Sequence, residues 1–281
     1  MISVITPVFN GQRFIESCIK SVIEQECPTA EHIFVDGGST DGTVEIIRQY
    51  ARDYPHIRWV SEKDQGQSDA MNKGIAMAQG EIIGFLNVDD FYEPNVLNRV
   101  VEMFRVLQEP ALVVGNCNVW NDDNQLDSVN KPNRLRLRDL LLADGPNEMP
   151  LNPSAYFYHA RLHDKVGPYK VDEPCAMDLD FLLRAVQVAN VKYVDETWGN
   201  YRRIAGTKTV RDIENGNNLP RVRRVLRFYQ ADLSLLDRLV LTVQRGIYFS
   251  VGSSFRYFSR HPDELPSRLK ARLGCLFGIT E

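Results

Sequence analysis

His32-Ile33-Phe34-Val35-Asp36-Gly37-Gly38-Ser39-Thr40-Asp41-Gly42-Thr43 runs from an apolar segment into a carboxylate, two glycines and a polar turn. His32–Asp36 has the length and composition of a buried strand, and Val44–Tyr50 opens a helix behind it. Thr40 or Asp41 stands where that helix needs a cap. Capping does not account for Asp36-Gly37. A carboxylate at the carboxyl end of a strand, followed by glycines, lets a planar base or a ribose approach the backbone closely. A calcium loop is excluded, because its third position should carry Asp or Asn and here carries Gly38.

The same alternation extends to both sides. Ile2–Thr6 reads as a strand and Phe14–Gln25 as a helix; Ile57–Ser61, Ser68–Ala78 and Glu81–Leu86 continue as strand, helix, strand. Such βαβα order predicts an α/β fold built on a mixed, mainly parallel sheet with helices on its faces. Ligands of such sheets bind beyond the carboxyl ends of the strands. Pro7–Asn10, Asp36–Gly42, Glu62–Gln67 and Asn87–Asp90 all fall at such ends. The middle is less regular: Leu112–Gly115 and Ser154–Tyr158 suggest strands, Val119–Asp127 a loop or hairpin, and Asp180–Val188 a helix. Residues 219–272 are mostly helical in pattern.

Three further motifs carry candidate chemistry. In Asn87-Val88-Asp89-Asp90, strand alternation would turn Asn87 and Asp89 to one face and Asp90 to the other. Two oxygen-bearing side chains on one face suit Mg²⁺ or Mn²⁺; the plainer reading is helix initiation ahead of Pro94. Glu62 through Gly74 is denser in polar residues than capping requires, and a helix N-terminus there suits a pyrophosphate. Asp178 and Asp180 open a helix about 200° apart, so one of them at most faces a given site. Either favours the helix dipole, and one is a candidate general base. His159 and His163 have zinc-compatible spacing but lack the Glu of H-E-x-x-H and a third ligand, and read as packing residues.

Composition narrows the classes. With 281 residues, 43% hydrophobic and 25% charged, the chain is ordinary globular material able to build a sizeable core. Five scattered cysteines without a C-x-x-C pair argue against a disulfide framework. Neither a signal-peptide pattern nor a long apolar window is apparent, which predicts a cytoplasmic protein. Residues 219–281 carry 11 Lys+Arg against 5 Asp+Glu, net +6, whereas residues 1–218 carry 22 against 32, net −10. An acidic body is unlike a nucleic-acid binder. The basic tail points to an anionic partner, such as the inner face of a membrane, or to packing on a second copy.

Ser3-Val4-Ile5-Thr6-Pro7-Val8-Phe9-Asn10-Gly11, Val35-Asp36 through Thr43, and Ala78-x-Gly80-Glu81-Ile82-Ile83 leading into Leu86-Asn87-Val88-Asp89-Asp90 together resemble family 2 of the glycosyltransferases, over about residues 1–205. The resemblance implies a single nucleotide-diphospho-sugar transferase domain of glycosyltransferase A type over residues 1–215, with residues 216–281 a basic helical extension. It implies an inverting, metal-dependent hexosyltransferase that moves sugar from a UDP- or GDP-sugar to a glycan or lipid-linked acceptor. Asn152-Pro153-Ser154 ahead of Met177-Asp178 resembles the branch that assembles bacterial polysaccharide.

Carried over residue by residue, the first loop (Thr6, Pro7, Phe9, Asn10) and Asp36-Gly37 cradle the nucleoside. Asp64, Gln67, Asp69 and Asn72 line the polar helix start. Asn87 and Asp89 meet the diphosphate, with Asp89 the ligand of Mn²⁺ or Mg²⁺, and Asp178 matches the base. Three departures stand out: Gly37 replaces a second acid, the metal motif has Asn87 for its first Asp, and Met177 precedes Asp178 where Glu is frequent. The last leaves Asp180 as the alternative base.

A dinucleotide-binding dehydrogenase would need G-x-G-x-x-G after the first strand, and Pro7–Gln12 has one glycine. A nucleotidylyltransferase would likewise want a glycine-rich first loop. A catalytically silent nucleotide-sugar-binding scaffold is the reading from a different class, and the missing metal carboxylate is its motive.

Overall fold

The computed structural model describes residues 1–141, 149–173, 176–216 and 218–243. The opening alternates as its sequence predicts: β1 (Ile2–Val8), α1 (Ile15–Ile23), β2 (Ala30–Asp36), α2 (Thr43–Asp53), β3 (Ile57–Ser61), α3 (Gln67–Met77) and β4 (Ile82–Phe85). β5 (Phe91–Tyr92), α4 (Val96–Phe104), β6 (Ala111–Trp120), β7 (Leu126–Asn130) and α5 (Leu137–Leu140) follow. A 3-10 turn at Pro153–Ala155 leads into β8 (Tyr156–His159), then α6 (Leu162–Val166), α7 (Met177–Ala185), β9 (Asn190–Arg202), α8 (Lys208–Glu214) and α9 (Asn218–Ala231).

Among the described residues the strands form one sheet in the order β3-β2-β1-β4-β8-β6-β9-β5, with β7 on β6. The first four strands are parallel; β8 runs antiparallel between β4 and β6, and β9 pairs parallel with β6. β1 is buried along its whole length, as a parallel strand covered on both faces must be. Ile2, Val4, Ile15, Ile19, Phe34, Ile47, Leu97 and Phe157 lie in the core that seals the sheet against its helices.

Chain order reverses between β1 and β4. From β1 the chain builds outward to β2 and β3, then returns to place β4 on β1's other edge. Loops leaving β1 and β4 therefore diverge and open a crevice at the strands' carboxyl ends. Register aligns Val8 with Asp36 and Asp36 with Ser61, so the three strand ends form one row at its floor.

Several elements differ from expectation. β4 ends at Phe85, and Asn87–Asp90 is a turn in which the Asp90 N–H donates to the Asn87 carbonyl at 3.0 Å. The alternation expected for Asn87 and Asp89 accordingly does not apply. β6 extends through Trp120, and β9 is a thirteen-residue strand that alternation did not disclose. α7 begins at Met177, ahead of the expected Asp180.

Contacts divide the chain into two units: Met1–Leu141 with Asn147–Asp232, and Leu142–Pro146 with Leu233–Glu281. The first unit runs on through α9, beyond the 215/216 boundary that the resemblance implied. Within that unit Tyr229 on α9 donates to Asp180 on α7 at 2.9 Å, Arg224 pairs with Glu173 at 2.6 Å, and Val225 and Leu226 of α9 are buried. In the second unit residues 235–243 are helical; the helical pattern expected from residue 244 onward lies outside the described residues. Among those described, no helix is long and apolar enough to cross a membrane.

Candidate active site

The crevice floor is built by hydrogen bonds between its loops. Asn10, held in the left-handed region at φ 51°, donates its N–H to Ser39 Oγ at 2.7 Å. Its side-chain carbonyl accepts from the Thr40 N–H at 2.9 Å. Asp36 is fully buried, and its Oδ2 accepts from the Gly38 and Ser39 N–H groups at 3.0 Å and from Ser61 Oγ at 2.6 Å. Ser39 Oγ also donates to Asp36 Oδ1. Asp36 thus shapes the Gly37–Ser39 turn as well as marking the strand end. Phe9, 63% exposed beside it, offers a free aromatic face.

The β3–α3 segment closes one wall. Asp64 Oδ1 accepts from the Gly66 N–H at 2.8 Å, while its other oxygen lies over Gly37. Asp69 accepts from the Gln65 N–H at 3.1 Å and pairs with Lys73 at 3.3 Å. Gln67 donates to Asn87 Oδ1 at 3.1 Å, and Asn87 Nδ2 donates to Asp90 Oδ2 at 2.9 Å. Both ends of the Asn87 amide are therefore spent on bracing the turn. Asp90 is fully buried, accepts from Asn152 Nδ2 at 2.7 Å and from the Arg202 N–H at 3.1 Å, and anchors the loop. Its carboxyl is raised far above the usual range by burial and by the neighbouring Asp89.

That leaves Asp89. Its backbone carbonyl is held by Arg202 Nε, and Arg202 itself lies between the Phe14 and Phe91 rings. Burial raises the Asp89 carboxyl and the Arg202 cation opposes the rise. No group of three or more His, Cys, Asp or Glu that could hold a metal occurs among the described residues. A half-buried carboxylate not spent on loop bracing still fits Mg²⁺ or Mn²⁺, which need one or two carboxylates plus substrate phosphates.

The two acids of α7 separate completely. Asp180 is buried in an ion-pair cluster, 2.7 Å from Lys170 Nζ, 2.9 Å from Arg184 Nε and bonded to Tyr229. Among the described residues Asp178 accepts one side-chain hydrogen bond, from the Tyr156 hydroxyl at 3.1 Å. Desolvation pushes its carboxyl up to about 6, against the pull of Tyr156 and the Lys208 cation. A carboxyl poised near neutrality is suited to taking a proton from a hydroxyl. The start of α7 is tied to the start of α3, since Ser68 Oγ lies 2.9 Å from Met177 Sδ. Asp178 thus stands near the wall that the β3–α3 segment forms.

Residues 3–167 match the model of glycosyl transferase family 2. The chain belongs to that family. Its similar relatives include the Escherichia coli glycosyltransferase YibD, 36% identical over 42% of this chain and 33% of its own length. Chondroitin synthase of Escherichia coli is 28% identical over 60% of this chain and 27% of its length. The chain therefore spans a third or less of these two curated relatives. A PGL/p-HBAD biosynthesis glycosyltransferase of Mycobacterium tuberculosis is 28% identical over 80% of this chain and 86% of its own. Among solved folds, Staphylococcus aureus TarS in complex with UDP-GlcNAc superposes with a TM-score of 0.66 at 18% identity, covering 89% of this chain and 72% of that one. A mannosyltransferase of Pyrobaculum calidifontis, in complex with GDP-Man and Mn²⁺, gives 0.54 at 18% identity over 99% and 88%. These likenesses give the glycosyltransferase A-type fold.

Within this family member the expected site residues divide. Phe9, Asn10, Asp36, Gly37, Asp64, Gln67, Asn87 and Asp89 gather around the crevice. Thr6 does not: its hydroxyl is buried against His32 Nε2 at 2.9 Å. Pro7 is buried within β1. Asn72 clamps the Tyr169 backbone with both ends of its amide, each at 2.9 Å. His159 and His163 are packing residues, bonded to the Ala111 N–H and to the Tyr158 hydroxyl. Sequence reading missed Tyr156, Arg202 and Lys208. Asn152-Pro153-Ser154 stood out in the sequence and Tyr156 is two residues on; nothing local marked Arg202, which closes the strand that alternation did not reveal.

Proposed function

We propose that this protein is an inverting glycosyltransferase, moving a hexose from a UDP- or GDP-sugar to a hydroxyl of a glycan or lipid-linked acceptor in surface polysaccharide assembly. The observation that carries the reading is Asp178, a carboxyl raised toward neutrality beside the crevice that among the described residues accepts a side-chain hydrogen bond from Tyr156 alone, while its helix neighbour Asp180 is consumed in ion pairs. Nucleotide-sugar complexes of two similarly folded proteins support the donor class.

Asp178 takes the acceptor proton as the acceptor oxygen bonds to the anomeric carbon and the carbon–phosphate-oxygen bond breaks. One base without a protein nucleophile gives one displacement, hence inversion. Phe9, Asn10 and the Asp36 turn receive the nucleoside. Asp89 would hold Mn²⁺ or Mg²⁺, whose contribution when bound is to neutralise charge on the departing diphosphate. Transfer assays over a UDP- and GDP-sugar panel, with the product's anomeric configuration read by NMR, test this. A retained configuration refutes inversion, and donor binding without turnover on any acceptor supports the silent scaffold.

We further propose that the basic extension meets an anionic lipid surface. Leu235, Leu236, Leu239 and Val243 are exposed on the helical residues 235–243, and arginines recur through the extension.

A further inference from the structure

Tyr156 sits on β8, 1% exposed, with its hydroxyl aimed at Asp178. Other titratable and charged groups also face that carboxyl: Tyr158 from β8, Tyr169 from the segment before α7, and Lys208 from α8. Tyr158 is committed elsewhere, its hydroxyl 2.9 Å from His163 Nε2, which in turn is fixed through Nδ1 to the Gly167 carbonyl at 2.9 Å. Lys208 lies 3.5 Å from Asp212, an acid of its own helix. Among the described residues, Tyr156 alone is shown donating a hydrogen bond to Asp178, and it engages one oxygen, Oδ1.

We propose that Tyr156 is a positioning residue for the sugar-transfer base: it pins Asp178 Oδ1 and so fixes the carboxylate with Oδ2 left to receive the acceptor's proton. The inference rests on Asp178 being that base. A Tyr156 hydroxyl is an unusually dependable donor here. Burial and the Asp178 charge push its own ionisation well above the ordinary phenol range, so it stays protonated wherever the enzyme works. Its hydrogen bond favours the carboxylate over the carboxylic acid. Tyr156 therefore opposes the desolvation that burial imposes on Asp178, and holds the base ionised to lower pH than an apolar wall would.

The test is the pH profile of kcat/KM for the full chain. Tyr156→Phe, which removes one oxygen and keeps the ring, should move the acid limb upward by about half to one pH unit. Its deficit against wild type should then be largest near pH 6 and narrow by pH 8.5, with nucleoside diphosphate affinity unchanged. Fluorinating the Tyr156 ring, which makes the hydroxyl a stronger donor, should move the limb the opposite way; a purely structural contact would not produce shifts of opposite sign. This second variant also serves if Tyr156→Phe folds poorly. An acid limb unmoved in both variants overturns the proposal while leaving Asp178 as base if Asp178→Asn is inactive. Near-wild-type turnover by Asp178→Asn overturns the base assignment itself, and the proposal with it.

Discussion

Asp64 occupies the space that a side chain at position 37 would need: a Cβ on Gly37 would lie 2.5 Å from Asp64 Oδ2. The two positions are therefore coupled. The β3–α3 segment thus presents the Asp64 carboxylate at the end of β2, where Gly37 carries no side chain.

Gly37→Ala should consequently weaken nucleoside diphosphate binding several-fold, of order 1 kcal/mol, by forcing Asp64 off the Gly66 N–H. Gly37→Ala/Asp64→Gly should not suffer the clash. Titration calorimetry with UDP and GDP reads both variants, and equal affinities for wild type and Gly37→Ala would sink the coupling.

Turnover should disappear in EDTA and return with Mn²⁺ or Mg²⁺. Asp89→Ala should resist that rescue, because Asn87 is bonded at both ends of its amide and is not placed to substitute. Undiminished activity in excess chelator counts against a metal at Asp89.

Asp178→Asn should cut turnover by about 10² to 10⁴-fold with donor affinity nearly intact. In the wild type, kcat/KM should fall as pH drops through about 6, where Asp178 takes up its proton. Stability carries the opposite sign. A carboxyl whose folded value is raised contributes stability at low pH that is lost as pH rises through about 6. Melting curves of wild type against Asp178→Asn should accordingly diverge between about pH 4 and pH 6, the wild type losing relative stability.

Asp180→Asn should instead act on folding. It strips a buried carboxylate from Lys170 and Arg184 and disturbs the bond to α9, at a cost of about 3 kcal/mol. Denaturant unfolding measures this. If the variant melts like wild type yet loses turnover, the roles of the two acids are exchanged.

Flotation with anionic liposomes at low salt should capture the full chain, and added salt should release it. Leu235→Glu/Leu239→Glu should abolish capture without changing donor hydrolysis. Absence of capture by the wild-type chain removes the lipid surface as the extension's partner.

The alternation through residue 86 and the placing of the motifs at strand ends were legible in the sequence. They depend on local periodicity and turn chemistry, which neighbouring residues carry themselves. Asp36 could be located at a strand end because an apolar run stops there and glycines follow. The direction in which Asp178 and Asp180 point could not be read this way. Their divergence is local, but its meaning comes from Tyr156 and Tyr229, 22 residues before one and 49 after the other. The roles of Asn87 and Asp90 were likewise decided from afar, by Gln67, Asn152 and Arg202. Asp64 over Gly37 is a contact between two loops that only the β2–β3 register brings together. Sequence determined where carboxylates emerge from the sheet; tertiary packing decided which stay available, because a buried carboxylate takes its role from the donors that the fold brings to it.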